Sequence, residues 1–203
     1  HIFNRGSDKR NIFTQQRDYT RFQQAFYYYK FLGPKPKFSN FSKYKLRTFK
    51  PSQDSKRVEI ISYCLMPNHF HFLVQQLKEN GIAGFISQLV HSYTKYFNTI
   101  YKRVGALLQG SFKSVHVEND EQLIHLSRYI HLNPIVSNIT NDLDGYPWSS
   151  YSEYVYDKES LCSTKEVLNL FPSRIEYKTF LMDQIDYAKS LNFLKHQLID
   201  VED

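Results

Sequence analysis

Residues 58–76 constrain the fold of this chain more than any other stretch. Val58 to Leu65 is an apolar, β-prone run, Met66-Pro67-Asn68 reads as a tight turn, and His69 to Gln76 is a second such run. Proline presets φ and asparagine tolerates turn geometry, so the pattern predicts a β-hairpin. On a strand, residues i and i+2 point to the same face. His69 and His71 therefore project together at the start of the second strand, while Phe70 and Phe72 point the other way, into a core. Two imidazoles side by side on a rigid strand can hold a divalent metal, and a metal held there can polarise a phosphate. They can equally be two histidines on a solvated or hydrogen-bonded face. With 8 His in 203 residues chance supplies roughly 0.3 such pairs, so the spacing alone does not decide.

A chain of 203 residues can build one domain with a real core, or one domain plus a helical extension. No run approaches the length of a membrane span and no signal-peptide pattern opens the chain, so no membrane partner is expected. The two cysteines, Cys64 and Cys162, are far apart in sequence. They suggest neither a disulfide framework nor a cysteine-based zinc site, and they fit a reducing cytoplasm. Net charge is +6, and its distribution says more than its sum. Residues 33–56 hold seven basic side chains (Lys35, Lys37, Lys43, Lys45, Arg47, Lys50, Lys56) against Asp54 alone, so the rest of the chain sums to zero. Phe38, Phe41, Tyr44 and Phe49 are interleaved with them. Cations near aromatic rings suit a nucleic-acid strand, charge for phosphate and rings for bases. A solvated basic loop with a few docking aromatics would read the same way.

Along the chain, His1 to Arg5 reads as a strand ending at Gly6. Asp18 can N-cap a helix running to about Leu32, where Gly33-Pro34 stops it. The basic segment follows as an insert. After the hairpin, helical spacing from Ile82 through Phe85, Ile86, Leu89, Tyr93 and Phe97 predicts a long helix to about Arg103, closed by Gly105. A short strand is expected at Ser114 to Val117. Asp120 can cap a helix from Glu121 to about Asn133, limited by Pro134. Further helices are expected near 164–170, 175–190 and 191–199. The order predicts an α+β, ferredoxin-like (RRM-like) antiparallel sheet with helices on one face, over residues 1–155 with the insert at 33–56. Residues 156–203 would form a helical extension.

On the helix at 121–133, Tyr129 and Asn133 are four apart and share a face at the edge of the Leu123, Leu126, Ile130 stripe. Tyrosine can act as a covalent nucleophile, its phenolate attacking phosphorus. Asn133 could give a carbonyl oxygen as a third metal ligand, and hard oxygen plus imidazole suits Mg²⁺ or Mn²⁺. A half-buried tyrosine and an asparagine helix cap would look the same.

Taken together, several segments resemble one family. They are His1-Ile2-Phe3-Asn4-Arg5-Gly6; Tyr63 to Val74 with Met66-Pro67-Asn68-His69-Phe70-His71; and Tyr93-Thr94-Lys95-Tyr96-Phe97-Asn98. They continue with Gly105 to Ser114 around Gln109-Gly110-Ser111-Phe112-Lys113, then Arg128-Tyr129-Ile130-His131-Leu132-Asn133-Pro134, and Tyr146-Pro147-Trp148-Ser149-Ser150-Tyr151. In this order the chain resembles the REP-associated tyrosine transposases (RayT type) of the HUH single-strand nucleases. The resemblance implies a Mg²⁺ or Mn²⁺ site at His69, His71 and Asn133, with Tyr129 as nucleophile. It implies cleavage and rejoining of single-stranded DNA beside a hairpin, through a 5′-phosphotyrosine intermediate, by a monomer or a homodimer. Arg5, Lys43, Lys45, Arg47 and Lys113 are the expected DNA-contacting cations. A non-catalytic binder of hairpin DNA or RNA with the same fold, and a phosphodiesterase using water, remain open alternatives.

Overall fold

The computed structural model describes residues 1–33, 37–38, 51–156, 161–187 and 189. Among the described residues four strands are present: β1 (Ile2–Arg5), β2 (Val58–Met66), β3 (His69–Gln76) and β4 (Lys113–Ser114). Helix α1 (Gln16–Tyr29) lies in sequence between β1 and β2, and α2 (Gly81–Ile100) between β3 and β4. The sheet order is β2-β3-β1-β4, with β1 antiparallel to both β3 and β4. This is the ferredoxin-like α+β arrangement. Among the described residues α3 (Asp120–Val136), α4 (Tyr151–Val155), α5 (Lys165–Leu168) and α6 (Arg174–Met182) follow. Among the described residues no helix is long and apolar enough to cross a membrane.

The chain divides into two compact units, His1–Ile60 with Pro67–Val115, and Ile61–Met66 with His116–Asp203. In the first unit, α1 and α2 pack together, and α2 packs on β3. The alternation of β3 puts Phe70 and Phe72 into this layer, both fully buried. Phe22 of α1 meets Phe70 at 5.2 Å and the edge of Tyr93 at 4.9 Å, and Phe26 meets Phe72 edge-on at 5.4 Å. Each such ring contributes on the order of 2–3 kcal/mol by burial alone. Arg57 locks the far end of this layer, donating from Nε to the Tyr29 carbonyl (2.9 Å) and from Nη2 to Gln88 (2.7 Å). Gly81 lets the backbone pass there, since a Cβ at that position would stand 2.4 Å from the Arg57 carbonyl oxygen.

In the second unit, residues 61–66 of β2 are covered along one edge by the 146–154 segment. Leu65 N–H donates to the Trp148 carbonyl (2.9 Å), and Ser150 N–H to the Tyr63 carbonyl (3.0 Å). The hydroxyls of Tyr146 and Tyr154 donate to the Leu65 and Ile61 carbonyls at 2.6 and 2.8 Å. Backbone groups that would otherwise be an open strand edge are thereby satisfied.

Several boundaries differ from the sequence reading. Asp18 does not cap α1 but sits three residues inside it, closing a capping box with Gln15 as the N-cap. Its carboxylate accepts from Thr14 and Gln15 N–H, both 3.0 Å, and from the hydroxyls of Tyr96 (3.1 Å) and Tyr101 (2.7 Å). Helix α1 stops at Tyr29, ahead of Leu32, because Leu32 N–H turns away to the Ser55 carbonyl (2.6 Å). Helix α2 ends at Ile100, before Arg103. Helix α3 is capped by Asn119, whose side chain accepts from Gln122 N–H, and runs through Pro134 to Val136. A proline this close to the C-terminus removes one intrahelical bond, and Ser137 N–H closes the helix on the Asn133 carbonyl at 2.9 Å. Strand β4 pairs at Lys113–Ser114, starting one residue and ending three residues earlier than expected. Helix α4 was not anticipated. The expected helix over 191–199 lies outside the described residues.

Candidate functional site

The strand register decides what surrounds the histidines. In the first unit, Phe3 pairs with His71 and Arg5 with His69 across β1 and β3, and Phe3 also pairs with Lys113 of β4. Directly paired residues share a face of the sheet. His69, His71, Phe3, Arg5 and Lys113 therefore stand on the face opposite Phe70 and Phe72. The rings of His69 and His71 lie 5.0 Å apart, nearly perpendicular. Arg5 and Lys113 are exposed at the margins of this face. Lys43, Lys45 and Arg47 lie outside the described residues.

Each imidazole is oriented by its other ring nitrogen. His69 Nδ1 is 2.6 Å from Asn68 Oδ1, and Asn68 Nδ2 donates to the Lys9 carbonyl at 3.3 Å. The amide is thus turned so that its oxygen faces the imidazole. His69 must then donate from Nδ1, which leaves the lone pair on Nε2. His71 Nδ1 lies 2.9 Å from His1 Nε2, with the two rings stacked at 5.1 Å. A proton on His71 Nδ1 donated to His1 puts the lone pair of His71 on Nε2 as well. Burial, with the neighbouring His69 charge adding to it, pushes the His71 pKa down to about 3. His71 is therefore neutral at physiological pH, the form in which imidazole binds a metal.

The shared face of the pair and the neutral ring of His71 suit a divalent ion. Among the described residues no group of three or more His, Cys, Asp or Glu side chains could hold one. The remaining donors of an ion at His69 and His71 would have to be amide oxygens, water or substrate phosphate, the hard ligands Mg²⁺ and Mn²⁺ accept. From sequence Asn68 reads only as a turn residue. The signal available there was an amide directly preceding the first histidine of the pair.

Tyr129 and Asn133 lie one turn apart on α3, in the second unit. Asn133 is 7% exposed and its Nδ2 donates to the Tyr129 carbonyl at 2.8 Å, doubling the helical bond there. Tyr129 is half exposed at 49%. Partial burial raises its pKa, Asn133 pulls it back, and Cys64 adds to the rise, with a net upward shift. The phenol is protonated at neutral pH. Deeper in this unit, His131 is fully buried, with Nε2 2.7 Å from Ser150 Oγ and Nδ1 2.8 Å from the Tyr177 hydroxyl.

The fold and the strand register define a ferredoxin-like α+β protein with two histidines on one face of its sheet. Residues 38–133 match the family model described as "Transposase IS200 like". A solved structure of a REP-associated tyrosine transposase bound to a REP hairpin shares the fold, with a TM-score of 0.51 and 13% identity over 82% of this chain and 84% of that one. No curated protein matches the chain. Residues 38–133, just under half of the chain, are thus similar to the IS200-like transposases, and the fold is shared with a REP-associated tyrosine transposase, the type that the sequence motifs resemble.

Proposed function

We propose that the chain is a metal-dependent tyrosine transposase that cleaves and rejoins single-stranded DNA next to hairpin sequences. The observation that carries this reading is the pair of imidazoles on one face of β3, that of His71 neutral, flanked by Arg5 and Lys113, in a chain whose residues 38–133 match the IS200-like transposase model. Such a face offers two nitrogen ligands to Mg²⁺ or Mn²⁺ between two cations placed for phosphate. The similar protein was solved with a REP hairpin, and hairpin DNA is the partner we assign here.

Tyr129 is assigned as nucleophile. Its phenol loses a proton, the phenolate oxygen bonds to phosphorus, and the bond from phosphorus to the 3′ oxygen breaks. The 3′ oxygen leaves and takes up a proton as a 3′-OH, while the 5′ phosphate stays on the tyrosine. Rejoining reverses these events with a 3′-OH attacking the phosphotyrosine, so no ATP is consumed. His69, His71 and Asn133 are assigned as ligands of the ion, which when bound polarises and orients the scissile phosphate as a Lewis acid. Arg5 and Lys113, with Lys43, Lys45 and Arg47 of the basic insert, are assigned to the DNA backbone.

The test is incubation with labelled single-stranded hairpin DNA and Mg²⁺ or Mn²⁺, read on a denaturing gel. A covalent protein–DNA band is expected, absent in Tyr129→Phe while hairpin binding persists. His69→Ala, His71→Ala and chelation should each abolish it. An adduct that survives in Tyr129→Phe would overturn the nucleophile. Binding without adduct or cleavage would leave a non-catalytic hairpin binder.

A further inference from the structure

The helical layer on the opposite side of the sheet carries its own cationic cleft. Gln16, Arg17, Thr20, Arg21 and Gln24 of α1 line it with Tyr96 of α2, a shallow, open cleft of about 470 Å³. The Arg21 guanidinium lies 4.0 Å from the centroid of Phe38 and 5.6 Å from that of Tyr96, and Arg17 lies 5.8 Å from Tyr101. Phe38 is the first aromatic of the basic insert.

Three features of this cleft are unexplained by folding. Arg17 occupies the second position of α1, where the helix dipole disfavours a cation, and Arg21 follows one turn later. Among the described residues neither arginine forms an ion pair, and Arg21 Nε is buried with no hydrogen-bond partner. Asp18 lies between them in sequence, but its carboxylate is already taken by Thr14, Gln15, Tyr96 and Tyr101. Among the described residues the two fork-shaped donors thus stand one turn apart with no ion pair to a carboxylate, Arg17 beside the Tyr101 hydroxyl and both next to tyrosines pinned by their hydroxyls.

We infer that the Arg17–Arg21–Tyr96 cleft is a second nucleic-acid site, holding the backbone of a single strand on the side of the sheet away from His69 and His71. Arginine forks match phosphate oxygens, pinned rings offer stacking faces to unpaired bases, and glutamine and threonine side chains can meet base or sugar edges. Rings that need an exposed base face favour a single strand over a duplex, and they favour nucleic acid over an acidic peptide. The site shares with the proposed function only the class of ligand. It needs neither Tyr129 nor a metal.

The experiment is fluorescence anisotropy with a fluorescein-labelled oligothymidylate in EDTA, on the Tyr129→Phe protein, across a salt series. Arg17→Gln and Arg21→Gln together should weaken binding and flatten the plot of log K against log salt by about 1.4, roughly 0.7 for each phosphate no longer neutralised. Arg21→Lys keeps the charge and its stem packing, and should keep the slope. An unchanged slope and affinity in the double variant would overturn the inference. Polyglutamate binding more tightly than the oligonucleotide, with the same weakening in the double variant, would overturn the nucleic-acid assignment. Failure to form a Tyr129 adduct leaves this measurement unaffected, so the two readings fail separately.

Discussion

His131 makes the second unit sensitive to acid in a way that can be calculated. Its imidazole is fully buried between the Ser150 and Tyr177 hydroxyls, and burial lowers its pKa from 6.5 to about 3. In the native state it stays neutral down to that pH, while in the unfolded chain it takes a proton below about 6.5. The unfolded state therefore binds more protons between these values, and stability must fall as pH falls. The full contribution is present above pH 6.5. Linkage with these two pKa values gives a loss of about 2 kcal/mol at pH 5 and about 3 kcal/mol at pH 4. His71 is shifted in the same direction, so the His131 share is read as a difference between proteins. Urea unfolding followed by fluorescence of Trp148, the single tryptophan, reports on this unit. His131→Gln should be less stable at pH 7, because it cannot satisfy both hydroxyls as the imidazole does. Between pH 7 and 5 it should lose about 2 kcal/mol less than the parent. Equal losses in the two proteins would refute the assignment of a neutral buried imidazole.

Two further outcomes follow from the geometry. If Asn68 fixes the His69 tautomer, Asn68→Ala should weaken Mn²⁺ binding by about 10- to 100-fold, measured by calorimetry, while leaving the fold intact. Unchanged affinity would remove Asn68 from the site. Glu153 accepts at both oxygens, from Tyr63 OH (3.0 Å) on one and from Leu161 and Cys162 N–H (2.9 and 3.2 Å) on the other. Glu153→Gln must turn an NH₂ toward a donor in either orientation, and should cost about 1–3 kcal/mol in the Trp148-monitored unfolding.

The sheet and its two covering helices were legible because their signals are local and repeat. The β2–β3 hairpin announces itself through two apolar runs and a Pro-Asn turn, and α2 through an apolar stripe that persists for twenty residues. Boundaries shift from their local signals where a distant group competes for a backbone donor or acceptor. Asp18 looks like a cap from sequence, but Tyr96 and Tyr101, about eighty residues on, fix it inside the helix. Pro134 looks like a stop, yet one missing bond near a helix end is a small loss beside the burial of Leu132, Asn133 and Ile135 around it. Strand β4 is two residues long and exists only by pairing with β1, so no periodicity could place it.

The same distinction separates the parts of the candidate site. That His69 and His71 share a face follows from strand alternation alone. That Arg5 and Lys113 share it with them depends on register between strands far apart in sequence. The tautomer of His69 depends on a carbonyl fifty-nine residues away, at Lys9, which turns the Asn68 amide. Charge counting fails for a related reason. Outside residues 33–56 the chain sums to zero, which hides Arg17 and Arg21 among compensating acids. The fold undoes that cancellation by burying Asp18 under two tyrosines while the arginines line the cleft. A neutral sum along the chain thus becomes a cationic cleft in space, and only the positions of the acids, not their number, decide whether a phosphate would be welcome there.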